Sequence, residues 1–196
     1  LRILSWNLLH SMGAEPAHVE ALAAATAPDL LLMQEATAAM DVLPQRLGGH
    51  YARAALPGRA HGLAAWSRMP FQSPARSLAL QRGLVVRRIA QILDLGELCI
   101  ANVHLSHGQM LNRRQLRRIA GILPGKAAIL GDCNMVGAGF VPGFKDVGGA
   151  KATHRMSGWV PLRLDRCFVR GLACESIEVL PRGASDHCPL LVVLNG

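Results

Sequence analysis

Short runs of Leu, Ile, Val and Ala recur along the chain. They fall at Ile3 to Trp6, Leu30 to Met33, Leu63 to Trp66, Leu84 to Leu95, Leu98 to Leu105, Ala127 to Leu130, Leu164 to Val169 and Leu190 to Leu194. Runs this short, bounded by polar and glycine-containing stretches, predict strands. Three intervening segments predict helices: Ala17 to Ala27 behind Pro16 at the first helical position, Ala38 to Leu47 capped by Thr37, and about Gly108 to Ile122. The order begins β-α-β-α, continues through a strand-rich middle to one more helix, and ends in strands. That order suits an α/β sandwich of mixed sheets better than a uniformly alternating parallel fold. The glycine-rich interval from Val136 to Pro161 is expected to be a surface excursion. No repeat or linker divides the 196 residues, so a single domain over 1–196 is expected.

Composition narrows the class. Half the residues are apolar (51%) and only 17% are charged, which excludes the high-charge, low-hydrophobicity signature of a disordered chain. The apolar runs are far shorter than the roughly 20 residues of a membrane-spanning helix. Five cysteines, an odd number without a C-x-x-C pair, point to reduced structural thiols. Such thiols suit a cytoplasmic location, and because the sequence opens directly on Arg2-Ile3-Leu4-Ser5-Trp6, with a leader either absent or already missing, export is left open. The net charge of +8 favours an acidic partner: nucleic acid, an anionic membrane surface or a small phosphorylated substrate.

The polar residues that interrupt this pattern are clustered at strand ends. Asn7, Glu35, His104 and Asp132 each follow an apolar run, Asp186 and His187 precede the last one, and Asp165 lies within another. Residues at strand ends are held rigidly yet reach solvent, and an antiparallel partner would bring the remaining ones to the same rim. Acids, amides and imidazoles together can position a water, neutralise phosphoryl oxygens and stabilise a leaving oxygen, as hydrolysis of a phosphate ester requires. Glu35 and Asp186 suit a hard cation such as Mg²⁺ or Mn²⁺. Asp132 suits orientation or deprotonation of a water, and His187 with Asp165 suits an imidazole whose cationic form is favoured. Asn134, two residues past Asp132 on an extended segment, would face the same side and donate to a phosphate oxygen.

Six ordered elements carry a family resemblance: Ser5-Trp6-Asn7, Gln34-Glu35, Asn102-Val103-His104-Leu105, Gly131-Asp132-x-Asn134, Leu164-Asp165-Arg166 and Ser185-Asp186-His187-Cys188-Pro189-Leu190. Along its whole length the chain resembles the endonuclease/exonuclease/phosphatase superfamily, which includes apurinic-site endonucleases, pancreatic-type deoxyribonucleases, neutral sphingomyelinases and inositol polyphosphate phosphatases. The resemblance implies a four-layer α/β/β/α sandwich, two mixed sheets flanked by helices. It implies a divalent metal, Mg²⁺ or Mn²⁺, at Glu35 with Asn7 and Asp186. It also implies Asp132 on the nucleophilic water, His187 supported by Asp165 on the phosphate, and His104 and Asn134 on its oxygens. Three departures accompany it. Leu9 stands where many nuclease members carry an aspartate, and His104 stands where apurinic-site endonucleases have Tyr. No acid precedes Ala64-Ala65-Trp66 to pair with that histidine, and His61 is a poor substitute.

Taken singly, these residues have plainer readings. Glu35 suits a helix N-terminus, Asn7 a turn cap, and His104 a hydrogen-bonded core. Asp165 has structural partners available in Arg163 and Arg166. The run Arg113-Arg114-Gln115-Leu116-Arg117-Arg118 makes either a phosphate contact or a solvated helix face. Trp6, Trp66 and the methionines are expected in the core, and His154 is the remaining histidine to examine beside the site. The leading expectation is a metal-dependent phosphodiesterase acting on nucleic acid. A phospholipid or inositol-phosphate hydrolase and a non-catalytic basic nucleic-acid-binding module are the alternatives, and with only 4% aromatic residues a stacking-based binder fits poorly.

Overall fold

In the computed structural model, which describes residues 1–83, 86–156 and 159–195, alternation along the first strand already sets the layering. In β1 (Arg2–Asn7), Leu4 and Trp6 join one apolar cluster while Ile3 joins another, because successive side chains of a strand point to opposite faces. The same division runs through β2 (Leu30–Thr37), with Leu31 and Met33 on one side and Leu30 and Leu32 on the other. These strands are the centre of a six-stranded sheet. Its order is β13 (Ala173–Val179), β14 (Leu190–Asn195), β1, β2, β4 (His61–Ser67) and β3 (His50–Ala55). The second six-stranded sheet runs β5 (Arg76–Ala79), β6 (Ile89–Asp94), β7 (Cys99–His104), β8 (Ala127–Asp132), β12 (Asp165–Arg170) and β9 (Lys145–Asp146). A separate hairpin joins β10 (His154–Met156) to β11 (Val160–Leu162).

Both large sheets are mixed. The pairs β1·β2 and β7·β8 are parallel, the first connected through α1 (Pro16–Thr26) and the second through α3 (Gln109–Ile122); the other pairings in these sheets are antiparallel. Parallel neighbours require such a crossover. Helix α1 and the short α2 (Leu43–Leu47) pack on the outer face of the first sheet through Val19, Ala23 and Leu43 against Trp6, Met33 and Trp66. Helix α3 packs on the outer face of the second through Leu116, Ile119 and Ala120 against Val103, Ile129 and Phe168. Ile3, Leu30, Leu32, Ile100, Leu130, Cys167 and Val192 meet between the sheets. This is the expected four-layer α/β/β/α sandwich.

Several local expectations need correction. The segment from Ala38 to Leu47 divides into a 3₁₀ turn (Ala38–Val42), capped by Thr37 as expected, and α2, because Pro44 has no N–H for an uninterrupted α-helix. Of the run Leu84 to Leu95, residues 84 and 85 lie outside the described residues and only Ile89–Asp94 is strand. The excursion from Val136 to Pro161 contains β9, β10 and the start of β11. Strands β3, β5 and β13 were not anticipated; they are edge or near-edge strands with half-exposed, polar-interrupted sequences such as Ala-Cys-Glu-Ser-Ile-Glu-Val. Met12, Met69 and Met110 are exposed rather than core.

The sheets are joined by a polar clasp within their apolar interface. Gln34 Nε2 donates to Asn102 Oδ1 at 2.8 Å and to Ser5 Oγ at 3.2 Å. Asn102 Nδ2 in turn donates to the carbonyls of Ala64 (3.1 Å) and Met33 (3.3 Å) and to Gln91 Oε1 (3.1 Å). Gln34 and Asn102 are fully buried. A Cβ at Gly131 would stand 2.2 Å from Val103 O on the neighbouring strand, and its φ of 132° disfavours any side chain, so the backbone beside the clasp dictates that glycine. Replacing Asn102 with Ala strands several buried polar groups at about 1–3 kcal/mol each. Urea unfolding should show N102A destabilised by about 3 kcal/mol, while the exposed Asn195→Ala changes stability by less than about 0.5 kcal/mol.

Candidate active site

The inward positions of the central strands change character along their length. On β7 they run Ile100, Asn102, His104, and on β8 Ala128, Leu130, Asp132: apolar first, chemical at the C-terminal end. Register aligns the last rung, with His104 opposite Asp132 on one side and Asp165 opposite it on the other. On the facing sheet Asn7 pairs with Gln34, placing Asn7 at the same rim. Asn7, Glu35, His104, Asp132, Asn134, His154, Asp186 and His187 all line one cleft of about 390 Å³, so seven of the eight expected residues line it and Asp165 stands directly behind His187.

Asp132 is the hub. Its Oδ2 accepts from Asn7 Nδ2 at 3.0 Å and its Oδ1 from the Asn134 backbone N–H at 2.9 Å. His104 Nε2 lies 3.3 Å and His187 Nε2 3.7 Å from Oδ2. The two imidazoles are driven in opposite directions. Burial dominates at His104 and pushes it down to about 3, despite the attraction of Asp132, so its contact with Asp132 is that of a neutral ring. Burial also opposes charge on His187, but the charge and hydrogen bond of Asp165, with Asp132 and Asp186 beyond, outweigh it and raise His187 to about 10. The Nδ1···Oδ2 distance to Asp165 is 2.7 Å. Arg163 and Arg166 leave Asp165 alone and pair with Asp146 instead.

Residues to which the sequence assigned no such role hold this pair in place. Ser185 Oγ donates to Asn7 O at 2.6 Å and accepts from His187 N, while Trp6 Nε1 donates to His187 O at 3.0 Å. Thr153 Oγ1 accepts from the backbone N–H of Leu164 and Asp165, and its carbonyl accepts from Cys188 N. His154 joins the site with its ring 4.5 Å from that of His187 and its Nδ1 3.8 Å from Asp186 Oδ2. Asn134 is not on an extended segment. It sits at φ 47°, in a turn closed by Asp132, with Nδ2 donating to Leu105 O. Arg113 is committed to the carbonyls of Gln109, Val136 and Ala138, which settles it as a loop brace.

Glu35 reaches the cleft through a bulge. The register of β2 shifts between Gln34 and Ala36, and Glu35 occupies φ 56°. Its carboxylate accepts from both the backbone N–H and the ring of His10, which stacks on His61 at 3.9 Å. Burial works to raise the Glu35 carboxyl, but the His10 bonds outweigh it and it lies below the usual carboxylate value. Thus His10, beside the departing Leu9, takes up a contact on Glu35, and His61 serves His10 rather than His104. The donor set fits a hard divalent cation: the carboxylates of Glu35 and Asp186 and the amide of Asn7 are oxygen donors on one cleft, and Glu35 is held ionised. Two groupings without Glu35, His154 with Asp186 and His187, and Asp132 with Asp165 and His187, have their ligand atoms within 4.8 Å of one another.

The sequence matches the Endonuclease/Exonuclease/phosphatase family over residues 4–187. No curated protein matches it. Among solved structures, an endonuclease/exonuclease/phosphatase from Bacteroides vulgatus superposes with TM-score 0.80 at 19% identity, covering 100% of this chain and 98% of that one. D. rerio TDP2 complexed with a single-strand DNA product gives 0.79 at 16% identity, covering 100% and 99%. The 3′ phosphatase NExo from Neisseria, bound to a product DNA hairpin, gives 0.73 at 19% identity, covering 100% of both. These likenesses show the fold.

The raised value of His187 links its proton to folding. The stabilisation is complete below about pH 6.5, where the unfolded chain also holds the proton. It declines as pH rises beyond that and is lost on passing about 10. Unfolding free energy measured from pH 6.5 to 10 should therefore fall in the wild type, and Asp165→Asn should flatten that dependence.

Proposed function

The chain belongs to the endonuclease/exonuclease/phosphatase family, whose members are divalent-metal-dependent hydrolases of phosphate esters, and on that premise we propose that it is a phosphodiesterase acting on nucleic acid. The observation that carries the reading is the Asp165–His187 pair, a cationic imidazole in the same cleft as the buried carboxylate Asp132 and the neutral His104. In this reading Asp132, fixed by Asn7 and Asn134, orients the attacking water and takes its proton. His187 presents Nε2–H to a phosphoryl oxygen and neutralises the charge that builds there, while Asp165 fixes its tautomer. His104 and the remaining Nδ2 hydrogen of Asn134 bind the other oxygens.

Glu35, with Asn7 and Asp186, would hold the divalent cation, Mg²⁺ or Mn²⁺, both of which suit oxygen donors. When bound it supplies a Lewis acid for the phosphate. His10 orients Glu35 as an outer partner of that ligand. The net charge of +8 and the nucleic-acid products seen on D. rerio TDP2 and NExo support nucleic acid over lipid or inositol phosphate. Five free cysteines support a reducing, cytoplasmic setting.

Hydrolysis of single- and double-stranded DNA, RNA, sphingomyelin and inositol phosphates with Mg²⁺ or Mn²⁺ tests the assignment. Turnover should be greatest on nucleic acid and abolished by chelation. His187→Ala and Asp132→Ala should each lower kcat by about 10²–10⁴-fold with KM little changed. His10→Ala should raise the Mg²⁺ concentration for half-maximal rate by about 10-fold or more. Preferred turnover of sphingomyelin would overturn the substrate class. Salt-sensitive DNA binding without turnover, unaltered in both mutants, would overturn catalysis itself.

A further inference from the structure

The reaction cleft adjoins a larger cavity of about 600 Å³, and His154 and Asp186 line both spaces. Lys151, Arg155 and Arg182 also line this cavity, with Val179 and Cys188 beside them. The three cations come from separate stretches of chain that backbone bonds draw together. Lys151 and Arg155 flank Thr153, whose carbonyl accepts from the Cys188 N–H at 2.7 Å, and His154 bridges to His187. Arg182 follows the end of β13, where the Leu180 N–H donates to Pro189 O at 2.9 Å. Bonds to the segment 187–189 thus hold the backbone of all three around one opening. Burial, with Asp165 behind it, raises the Cys188 thiol, and the charges of Arg182 and Arg155 both act against that, so the two guanidiniums face the same thiol from different loops.

None of the three cations has an ion-pair partner among the described residues. Elsewhere in the chain arginines find one: Arg46 pairs with Glu20, Arg53 with Asp41, and Arg163 and Arg166 with Asp146. Asp186 is the one acid that lines the cavity, and its Oδ2 lies 3.8 Å from His154 Nδ1, at the boundary with the reaction cleft. His154 Nδ1 itself has no hydrogen-bond partner among the described residues. A concave surface lined by one sign of charge concentrates the opposite sign within it. Three cations against one carboxylate leave a surplus of two positive charges. A terminal phosphomonoester carries between about 1.5 and 2 negative charges at neutral pH, whereas an internal phosphodiester carries one. The monoester is the better match.

We propose that this cavity holds the terminal phosphate of a nucleic-acid strand while the neighbouring internal phosphodiester lies in the reaction cleft, so that the protein acts one nucleotide in from a phosphorylated end. The proposal rests on the nucleic-acid reading above. Arg155 and Arg182 offer planar forks that match phosphate oxygens, and Lys151 adds a point charge. The contact reads the charge of a strand end and no base, so it selects where on a strand the chain cuts rather than which sequence.

The smallest probes that contain both groups are the dinucleotides d(pTpT) and d(TpTp), with d(TpT), which lacks the terminal phosphate, as reference. The wild type should cleave the internal diester of one phosphorylated form with KM about 10-fold below that for d(TpT), and which form it is gives the strand polarity. Arg155→Met and Arg182→Met should each raise KM for that dinucleotide about 10-fold more than for d(TpT). Arg114→Met, which removes the same charge from the exposed face of α3, should raise it by less than about 2-fold. Because Arg155 and Arg182 are exposed, both variants should keep the wild-type Tm. Calorimetry with His187→Ala protein should show the phosphorylated dinucleotide bound about 10-fold more tightly than d(TpT), a difference that adding Arg182→Met removes.

Equal KM values for all three dinucleotides, or a loss in Arg114→Met as large as in Arg182→Met, would reduce the cavity to part of the overall positive field and overturn the proposal while leaving the phosphodiesterase reading intact. Equal losses on all three with a lowered Tm would make the arginines braces of the fold and overturn it as well, as would phosphorylated dinucleotides that bind no more tightly than d(TpT). Tight binding through Arg182, with no dinucleotide cleaved by the wild type, would instead overturn the nucleic-acid phosphodiesterase reading and leave the cavity standing as a phosphomonoester site.

Discussion

The hydrogen-bonded clasp between Gln34 and Asn102 is the constraint on which the rest of the molecule depends. Two sheets packed by apolar side chains alone can slide, because dispersion and hydrophobic contacts are non-directional. A pair of buried amides cannot, since each would leave donors or acceptors bare in a medium where that is expensive. Gln34 on β2 and Asn102 on β7, extended by Ser5, Gln91 and the carbonyls of Met33 and Ala64, fix one register between the sheets. Glu35 is the next residue after Gln34, and His104 is the next inward residue after Asn102. Fixing the clasp therefore fixes the distance across which the site assembles, and Gly131 belongs to the Gly-Asp-x-Asn element because the Val103 carbonyl of the neighbouring strand leaves no room for a side chain there.

Immediately above it, one carboxylate, Asp132, faces two histidines of opposite character. Both are buried to a similar degree, so burial alone would neutralise both. The difference is Asp165, placed opposite Asp132 by antiparallel pairing of β12 with β8 and hydrogen-bonded to His187 alone. A carboxylate in direct contact reverses the effect of desolvation; one at 3.3 Å without an aligned bond, as Asp132 stands to His104, does not. The cleft thus contains a cationic imidazole and a neutral one beside the same carboxylate, an asymmetry set by which strand pairs with which.

Much of this was legible in the sequence, and the unreadable parts share a cause. Strand interiors with unbroken apolar runs, helix α1 behind Pro16 and helix α3 were readable because local pattern and burial agree there. Asp165 with His187 was readable because a carboxylate amid Leu162, Leu164 and Phe168 demands a partner. Edge strands β3, β5 and β13 were not, since half their side chains face water and no alternation survives. The supporting roles of His10, Thr153 and Ser185 were invisible for another reason: they are contacts made across the fold, and a Thr bonding N–H groups eleven and twelve residues away leaves no periodic trace. The position of Asn134 was readable but its geometry was not, because an αL turn and an extended segment can place the same residue on the same side.

That last difference extends to the site as a whole. Of the four non-glycine residues with positive φ among those described, Leu9, Glu35 and Asn134 line the reaction cleft. Such conformations cost roughly 1–3 kcal/mol each and persist only where neighbours over-determine them. Each is over-determined here. The Leu9 N–H is held by Asn7 Oδ1, Glu35 by the backbone and ring of His10, and Asn134 by Asp132, Leu105, Gln109 and Asn112. The restraining groups are themselves site residues or their immediate supports, so the strain and the chemistry are maintained by the same bonds. Losing Asp132 would remove the carboxylate at the hub of the cleft and also release the turn that positions Asn134. Losing His10 would free the bulge that presents Glu35. The cleft is consequently a cooperative unit, in which the energetic effect of removing two of these residues together should differ from the sum of removing each alone.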